Sequence, residues 1–294
     1  MQEPLTAGVA AGQAVARAHA AEVSTGDRYE FGKNWRAFLE NVDETVIGEA
    51  VRSLQVSLGR STLTGLRFLD IGSGSGLSSL AAHRLGASVT SFDYDSDSVQ
   101  CTLELRRRFG GDDQSWTITQ GSVLSAEFMQ SLGSYDIVYS WGVLHHTGAM
   151  WEAIDHAVAR VERAGTLFIA IYIDQGAWSK RWVRIKRFYC SGPVGKWVVS
   201  SFFIPFWIVR GFLADVVLLR NPVARYTAYG KRRGMSVVRD WHDWLGGYPF
   251  EVARPEAIVL PIQRRGFSLV NMDTTNACQE YVFERRDSAV GPTT

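Results

Sequence analysis

The sequence predicts an α/β fold, a Rossmann-like parallel sheet wound with helices, and three observations carry that prediction. From Arg67 onward, short apolar runs of strand length alternate with helical patterns in five successive β/α steps. The first run ends in a glycine-rich turn, Gly72-Ser-Gly74-Ser-Gly76, that opens a helix. The composition is that of a globular chain, 294 residues with 46% hydrophobic and 21% charged. That length suits one elaborated domain with a substantial core.

Residues 1–25 are rich in alanine and lack a charged start followed by an apolar core, so they are read as a flexible, partly helical tail and not a signal peptide. The core then spans 26–173. Trp35, Phe38, Leu39 and Val42 share one helical stripe, and the pattern predicts a single helix running to about Leu58 with Gly59 as its stop. Phe68, Leu69 and Ile71 form the first strand, followed by a helix over 78–85 with Gly86 at its C-terminus. The second strand is 88–93. Ser96 is the expected N-cap of the next helix, and Arg106 to Arg108 suit its C-terminal end. Trp116 to Val123 gives the third strand and its exit, and Tyr135 opens the fourth. A helix over 149–161 and a fifth strand over 165–173 follow. An insertion occupies 174–253. Residues 254–286 supply a last helix (256–266) and a closing pair of strands (267–273 and 279–284), and 287–294 is a tail.

The spacing of the glycine turn narrows its ligand. A dinucleotide site wants Gly-x-Gly-x-x-Gly, whereas here position 77 is Leu, and no Lys follows to make a phosphate loop. Asp70 stands two residues before the first glycine. A carboxylate there would repel a diphosphate and suits a cationic, amino-acid-like ligand. The stretch Leu69-Asp70-x-Gly72-x-Gly74-x-Gly76 resembles motif I of the class I S-adenosylmethionine (SAM) methyltransferases. A second stretch, Val143-Leu144-His145-His146 after the fourth strand, resembles motif IV of the ubiquinone-biosynthesis type of that superfamily. The resemblance covers roughly 27–174 and 254–285.

What the resemblance implies is a seven-stranded sheet whose last strand is antiparallel, with a helical lid inserted between the fifth strand and the last helix. It also implies SAM as cofactor, with S-adenosylhomocysteine as product. Asp70, Gly72, Gly74 and Gly76 would receive its methionyl and ribose parts. Asp93, at the end of the second strand, offers two acceptor oxygens to the ribose hydroxyls, and Tyr94 a ring for adenine. The exit of the third strand gives Ser122, where the family has an acid, and Val123. The end of the fourth gives Ser140 and Trp141. An N-terminal segment folds over the cofactor in this family, which adds Asn34 and Trp35. Asp95 is read as local turn chemistry. A histidine near neutrality can take a proton from a nucleophile. His145 and His146 both fit that role, and the sequence does not separate them.

The insertion has its own character. Between Trp178 and Gly234 stand twelve Lys/Arg and one acid, a net +11, against −10 for the rest of the chain. Trp178, Trp182, Ile185 and Tyr189 fall on one helical stripe. Trp197 to Val209 carries no charge but is broken by Pro205, short for a membrane span of about 20 residues. A packed lid is the first reading. Weak, salt-sensitive contact of 178–234 with a membrane surface is the second, and nucleic acid is disfavoured because no recognised module is present. Further on, the polar and aromatic stretch from Arg233 to Glu251 contributes Asp240, His242, Asp243 and Tyr248. With Tyr29, Tyr172 and Asp174 these are the expected acceptor-binding residues. Three scattered cysteines show no metal spacing and fit a reduced, cytoplasmic setting, peripheral to a membrane if the second reading holds. The function expected is methyl transfer to an oxygen of a small or lipid-like acceptor, hydrophobic or anionic. Nitrogen or carbon acceptors, or a non-catalytic SAM-binding partner protein, are the alternatives.

Overall fold

Seven strands form one sheet in the order β3-β2-β1-β4-β5-β7-β6. They are β1 (Arg67–Ile71), β2 (Ser88–Asp93), β3 (Trp116–Gln120), β4 (Tyr135–Trp141), β5 (Val161–Tyr172), β6 (Phe267–Asp273) and β7 (Cys278–Arg285). The computed structural model describes residues 3–111, 115–222, 237–275 and 278–286. β1 to β5 pair in parallel, and β7 inserts antiparallel between β5 and β6, the arrangement expected from the sequence. The chain winds outward from β1 to β3 and returns to place β4 beside β1. A crevice therefore opens over the carboxyl ends of β1 and β4, where such sheets bind ligands.

Alternate residues of the strands feed two apolar layers. Leu69, Ile71, Val138, Leu167 and Ile169 pack under α7 (Met150–Ala159) and α11 (Pro255–Arg264). Phe68, Val89 and Trp116 pack on the other face under α3 (Glu44–Leu58), α4 (Leu77–Arg84) and α5 (Ser96–Phe109). Each such fully buried side chain is worth about 1.5–3 kcal/mol, which makes this the rigid base on which the loops are held.

The helices correct the sequence reading in detail. The helix expected over 35–58 is two: α2 (Gly32–Leu39) and α3, because the Asp43 carboxylate accepts from the N–H groups of Thr45 and Val46 and caps a new start. Asp95, not Ser96, caps α5 by accepting from Asp97 N–H. β5 begins at Val161, ahead of the expected 165, with the irregularity absorbed where its pairing with β4 shifts register. Residues 3–25 form one helix, α1 (Glu3–Thr25). Between Tyr172 and the last helix lie α8 (Ala177–Cys190), α9 (Pro193–Val217) and α10 (Val237–Gly246). They share a small core of Tyr189, Val199 and Leu245 with Trp182, Phe203, Trp207 and Trp244 around it. Trp178 leaves the expected stripe. It is exposed at the start of α8, with the Arg181 guanidinium over its ring. Pro205 does not end α9. The expected features at 233–236 and the tail 287–294 lie outside the described residues.

Candidate active site

The loop after β1 has the shape of a ligand cradle. Gly72, Gly74 and Gly76 adopt φ of 77°, 54° and 84°, a region that side chains disfavour. A Cβ on Gly72 would lie 2.4 Å from the Val143 side chain, and one on Gly76 would lie 2.9 Å from Thr102. Asp93 closes the cradle. Its Oδ2 accepts from Gly74 N–H at 2.9 Å and its Oδ1 from Asp95 N–H at 2.9 Å, and each carboxylate oxygen can accept more than one donor. Burial pushes this carboxyl up to about 6, against the pull of those N–H donors. Asp70 lies deeper. Its carboxylate accepts from Ser79 Oγ, which meets Ser91 Oγ at 2.6 Å, which in turn takes the Trp116 indole N–H at 2.8 Å. Asp70 thus heads a buried polar chain beneath the loop, and burial raises it to about 7.

The N-terminal segment lies over this loop. Trp35 covers Gly74, whose Cβ would stand 3.1 Å from the indole nitrogen. Gly32 N–H donates to Asp95 Oδ2 at 2.8 Å, so Asp95 both caps α5 and tethers α2. Tyr94 faces α1: its hydroxyl donates to Glu22, His19 packs edge-on against its ring, and Arg28 sits 4.9 Å above it. Ser122 Oγ accepts from Leu124 N–H, and Val123 is buried with its carbonyl against the His156 ring. Ser140 is fully buried and donates to the Ile71 carbonyl, tying β4 to β1. The Trp141 indole reaches across β5 to Glu280.

The loop after β4 carries the histidines, and here their environments differ. Val143 rests on Gly72, which joins this loop to the cradle. His145 is fully buried and lies 4.1 Å from the Tyr172 ring. Burial first, then His146, holds it well below the usual imidazole range. His146 sits nearer the surface. Its Nδ1 is 2.6 Å from the Pro249 carbonyl. A carbonyl only accepts, so Nδ1 carries the proton and Nε2 keeps its lone pair. Burial lowers it to about 3, with the charges of Lys186 and Arg28 acting the same way. Phe31 lies 5.2 Å from its ring, and Gly247 is close enough that a Cβ would stand 3.0 Å from Cε1.

α8, α10 and the Tyr248–Glu251 stretch complete the surround. Asn34 donates to both Asp243 and the Tyr29 hydroxyl. Burial raises Asp243 to about 7 and the Tyr29 phenol well above its usual range. Tyr248 receives Tyr29 N–H on its carbonyl at 2.8 Å. Tyr172 packs among His145, His146 and Phe250. His242 turns instead to the Tyr189 hydroxyl, 2.8 Å from Nδ1, and Asp174 caps a local turn by accepting from Gly176 N–H. Asp240 lies one turn before Asp243 on α10, partly exposed.

Three participants were not singled out in the sequence. Lys186, 1% exposed, donates to the Trp244 carbonyl between the Trp244 and Phe250 rings, and burial brings it down to about 7. Arg28 donates to the His146 carbonyl at 2.7 Å and the Thr147 carbonyl at 3.3 Å. Glu251 accepts from Met150 N–H at the head of α7. These three carry no local sequence signal: they are set by contacts between segments up to 119 residues apart.

The cradle fits a nucleoside bearing an amino-acid-like cation: strained glycines where a Cβ would collide, a carboxylate at diol height, and buried acid beneath. Residues 69–167 match the family model described as a methyltransferase domain. No curated protein sequence matches the chain. Among solved structures, an O-methyltransferase family protein from Burkholderia thailandensis is 12% identical, covering 83% of this chain and 58% of that one, with a TM-score of 0.50. Magnesium protoporphyrin IX methyltransferase from Synechocystis, with S-adenosylhomocysteine bound, is 16% identical over 82% of each chain at a TM-score of 0.47. At such identities the likeness is one of fold.

Proposed function

The chain carries a class I SAM-dependent methyltransferase domain over residues 69–167, and on that premise we propose that it methylates an oxygen of a small, largely apolar acceptor, with His146 taking the proton. SAM, when bound, supplies a methyl group on a sulfonium centre. The Gly72–Gly76 loop and Asp93 would hold its ribose, with Trp35 as cover. Asp70 would bias the loop toward a cation.

One observation carries the acceptor assignment. The Pro249 carbonyl fixes the His146 tautomer, so that Nε2 is an acceptor at any pH above about 3. A hydroxyl needs such an acceptor, because its oxygen becomes strongly acidic as the new C–O bond forms. A weak base suffices at that point, and it stays deprotonated under all physiological conditions. His145 supports the site differently, as a buried ring that seats Tyr172. Tyr29, Phe31, Tyr172 and Phe250 supply apolar walls, and Asn34 with Asp243 supplies a polar end that orients the acceptor. Positioning of this kind accounts for much of the rate in a displacement reaction.

The test is transfer of an isotopically labelled methyl group from SAM to fractions of a small-molecule extract, with products identified by NMR. We expect the label on an ether or ester oxygen, S-adenosylhomocysteine in equal amount, and loss of transfer in His146→Ala. A product methylated on nitrogen or carbon, or full transfer by His146→Ala, overturns the assignment.

A further inference from the structure

α9 is a 25-residue helix that the protein hardly covers. Only Gly195, Val199 and Asp215 are buried along it, and its most apolar 18-residue window has a mean hydropathy of 1.6 with 6% of the window buried. An apolar core helix would be enclosed on all sides. A signal sequence would lie near the N-terminus, whereas α9 follows the fifth strand.

Its two sides differ in partners but not in polarity. Val199, Phe203 and Trp207 recur every four residues and face the protein, with Phe203 5.2 Å from Trp182 and Trp207 5.4 and 5.7 Å from Trp241 and Trp244. The rest of its circumference presents Trp197, Phe202, Phe206, Val209, Phe212 and Val216, all exposed, over a helix about 37 Å long. Such a continuous apolar face exceeds what a soluble surface leaves open without a partner. An open apolar groove of about 360 Å³ between α8 and α9 extends it. Exposed cations accompany this surface: Arg184 lines that groove, Arg181 and Arg187 share α8, Lys196 and Arg210 share α9, and Arg220 lies just beyond. The one acid between Trp178 and Pro222 is Asp215, and it is buried. An apolar strip accompanied by cations, with no exposed acid, is complementary to anionic phospholipid.

We propose that α9 lies in the headgroup boundary of an anionic bilayer, its open face among the acyl chains and the flanking arginines and lysines on phosphates. Spanning is excluded by the packing. To cross, α9 would have to leave Trp182, Trp241 and Trp244, and Asp215 would enter hydrocarbon. The attachment is therefore deeper than a salt-screened electrostatic contact, although the cations guide it.

The experiment sediments the full chain with phosphatidylglycerol–phosphatidylcholine vesicles and with phosphatidylcholine alone. Binding to the anionic vesicles that persists in part at high salt is expected. Phe202→Glu/Phe206→Glu/Phe212→Glu, all at exposed positions, should weaken it about tenfold or more while SAM affinity and melting temperature hold. Arg184→Gln/Arg187→Gln/Arg210→Gln should weaken it chiefly at low salt. Absence of binding at low salt, binding abolished by salt, or equal binding by the glutamate variant overturns the proposal. So does a dimer in light scattering that the glutamate variant converts to monomer without any vesicle binding, which would make the face a contact between copies.

Discussion

The sharpest prediction concerns Asp93, because its carboxylate has identifiable backbone partners. It accepts from the Gly74 and Asp95 N–H groups, and the Tyr94 N–H also favours its charge, so the carboxylate holds the loop before any ligand arrives. Asp93→Ala strands both donors and removes the acceptors for the ribose diol. At about 1–3 kcal/mol for a lost buried partner, SAM affinity should fall about 5- to 150-fold, with a similar loss in folding stability. Protonation does part of this reversibly. A proton on either oxygen turns an acceptor into a donor facing an N–H or a ribose hydroxyl. With the free carboxyl raised to about 6, SAM affinity should be flat above pH 7 and decline below 6. It should be about tenfold weaker at pH 5, where roughly one molecule in ten is ionised. Asp93→Asn keeps the shape but fixes an NH₂ in the same place. It should bind weakly at every pH and lose that part of the pH dependence. Calorimetric titration of SAM between pH 5 and 8, with thermal melts in parallel, decides the matter. Affinity unchanged in a folded Asp93→Ala protein, or the same pH slope in Asp93→Asn as in the wild type, would refute the reasoning.

Four further outcomes follow from the same geometry. His146→Ala should cut turnover by about 10²–10⁴ with SAM affinity nearly unchanged, whereas His145→Ala should chiefly destabilise, by about 3 kcal/mol, as a buried ring leaves a cavity beside Tyr172; steady-state kinetics and melting separate them. Asp70, raised to about 7 by burial, stabilises the fold in its neutral form; that contribution is complete below the unfolded value near 4 and is lost as pH rises through 7, so Asp70→Asn should flatten the decline in apo-protein melting temperature between pH 5 and 8, a loss of up to about 3 kcal/mol in the wild type. Gly72→Ala should lose SAM binding in calorimetry, since its Cβ would meet Val143 at 2.4 Å at a φ of 77°. Arg28→Lys should not rescue Arg28→Ala in a turnover assay, because a single ammonium cannot span the His146 and Thr147 carbonyls as the guanidinium fork does.

The core was legible in the sequence because its signals are local. The run Phe68, Leu69, Ile71, the glycines after it and the acid at the end of the next strand each follow from neighbours within a few residues. What escaped depends on packing. Trp35, Phe38, Leu39 and Val42 keep a helical phase across a break that Asp43 makes by capping, and the phase alone does not reveal the break. Lys186 is one of twelve cations between Trp178 and Gly234 by sequence, and only the rings of Trp244 and Phe250 distinguish it. Asp243 and Asp240 are one helical turn apart, and which one meets Asn34 is decided by the rotation of α10 against α2. Pro205 reads as a breaker, yet it sits on the exposed side of α9 and the helix continues through it.

The same contrast says where acceptor specificity resides. The matched stretch, 69–167, contains the glycine cradle, Asp93 and both histidines, the parts proposed above to serve the cofactor and proton removal. The other residues proposed to face the acceptor lie outside it: Tyr29, Phe31 and Asn34 before, Tyr172, Lys186, Asp243 and Phe250 after. The segment from Arg28 to Trp35 joins the two. Arg28 holds the histidine loop by its carbonyls, Phe31 lies against His146, Asn34 bonds Asp243, and Trp35 covers Gly74. Cradle, base and lid therefore share one short stretch of chain. Its charge-assisted and buried hydrogen bonds lose energy together if it is displaced. A substitution in this segment should then disturb cofactor affinity and acceptor selection at once, whereas one within the lid, such as Lys186 or Asp243, should act on the acceptor alone.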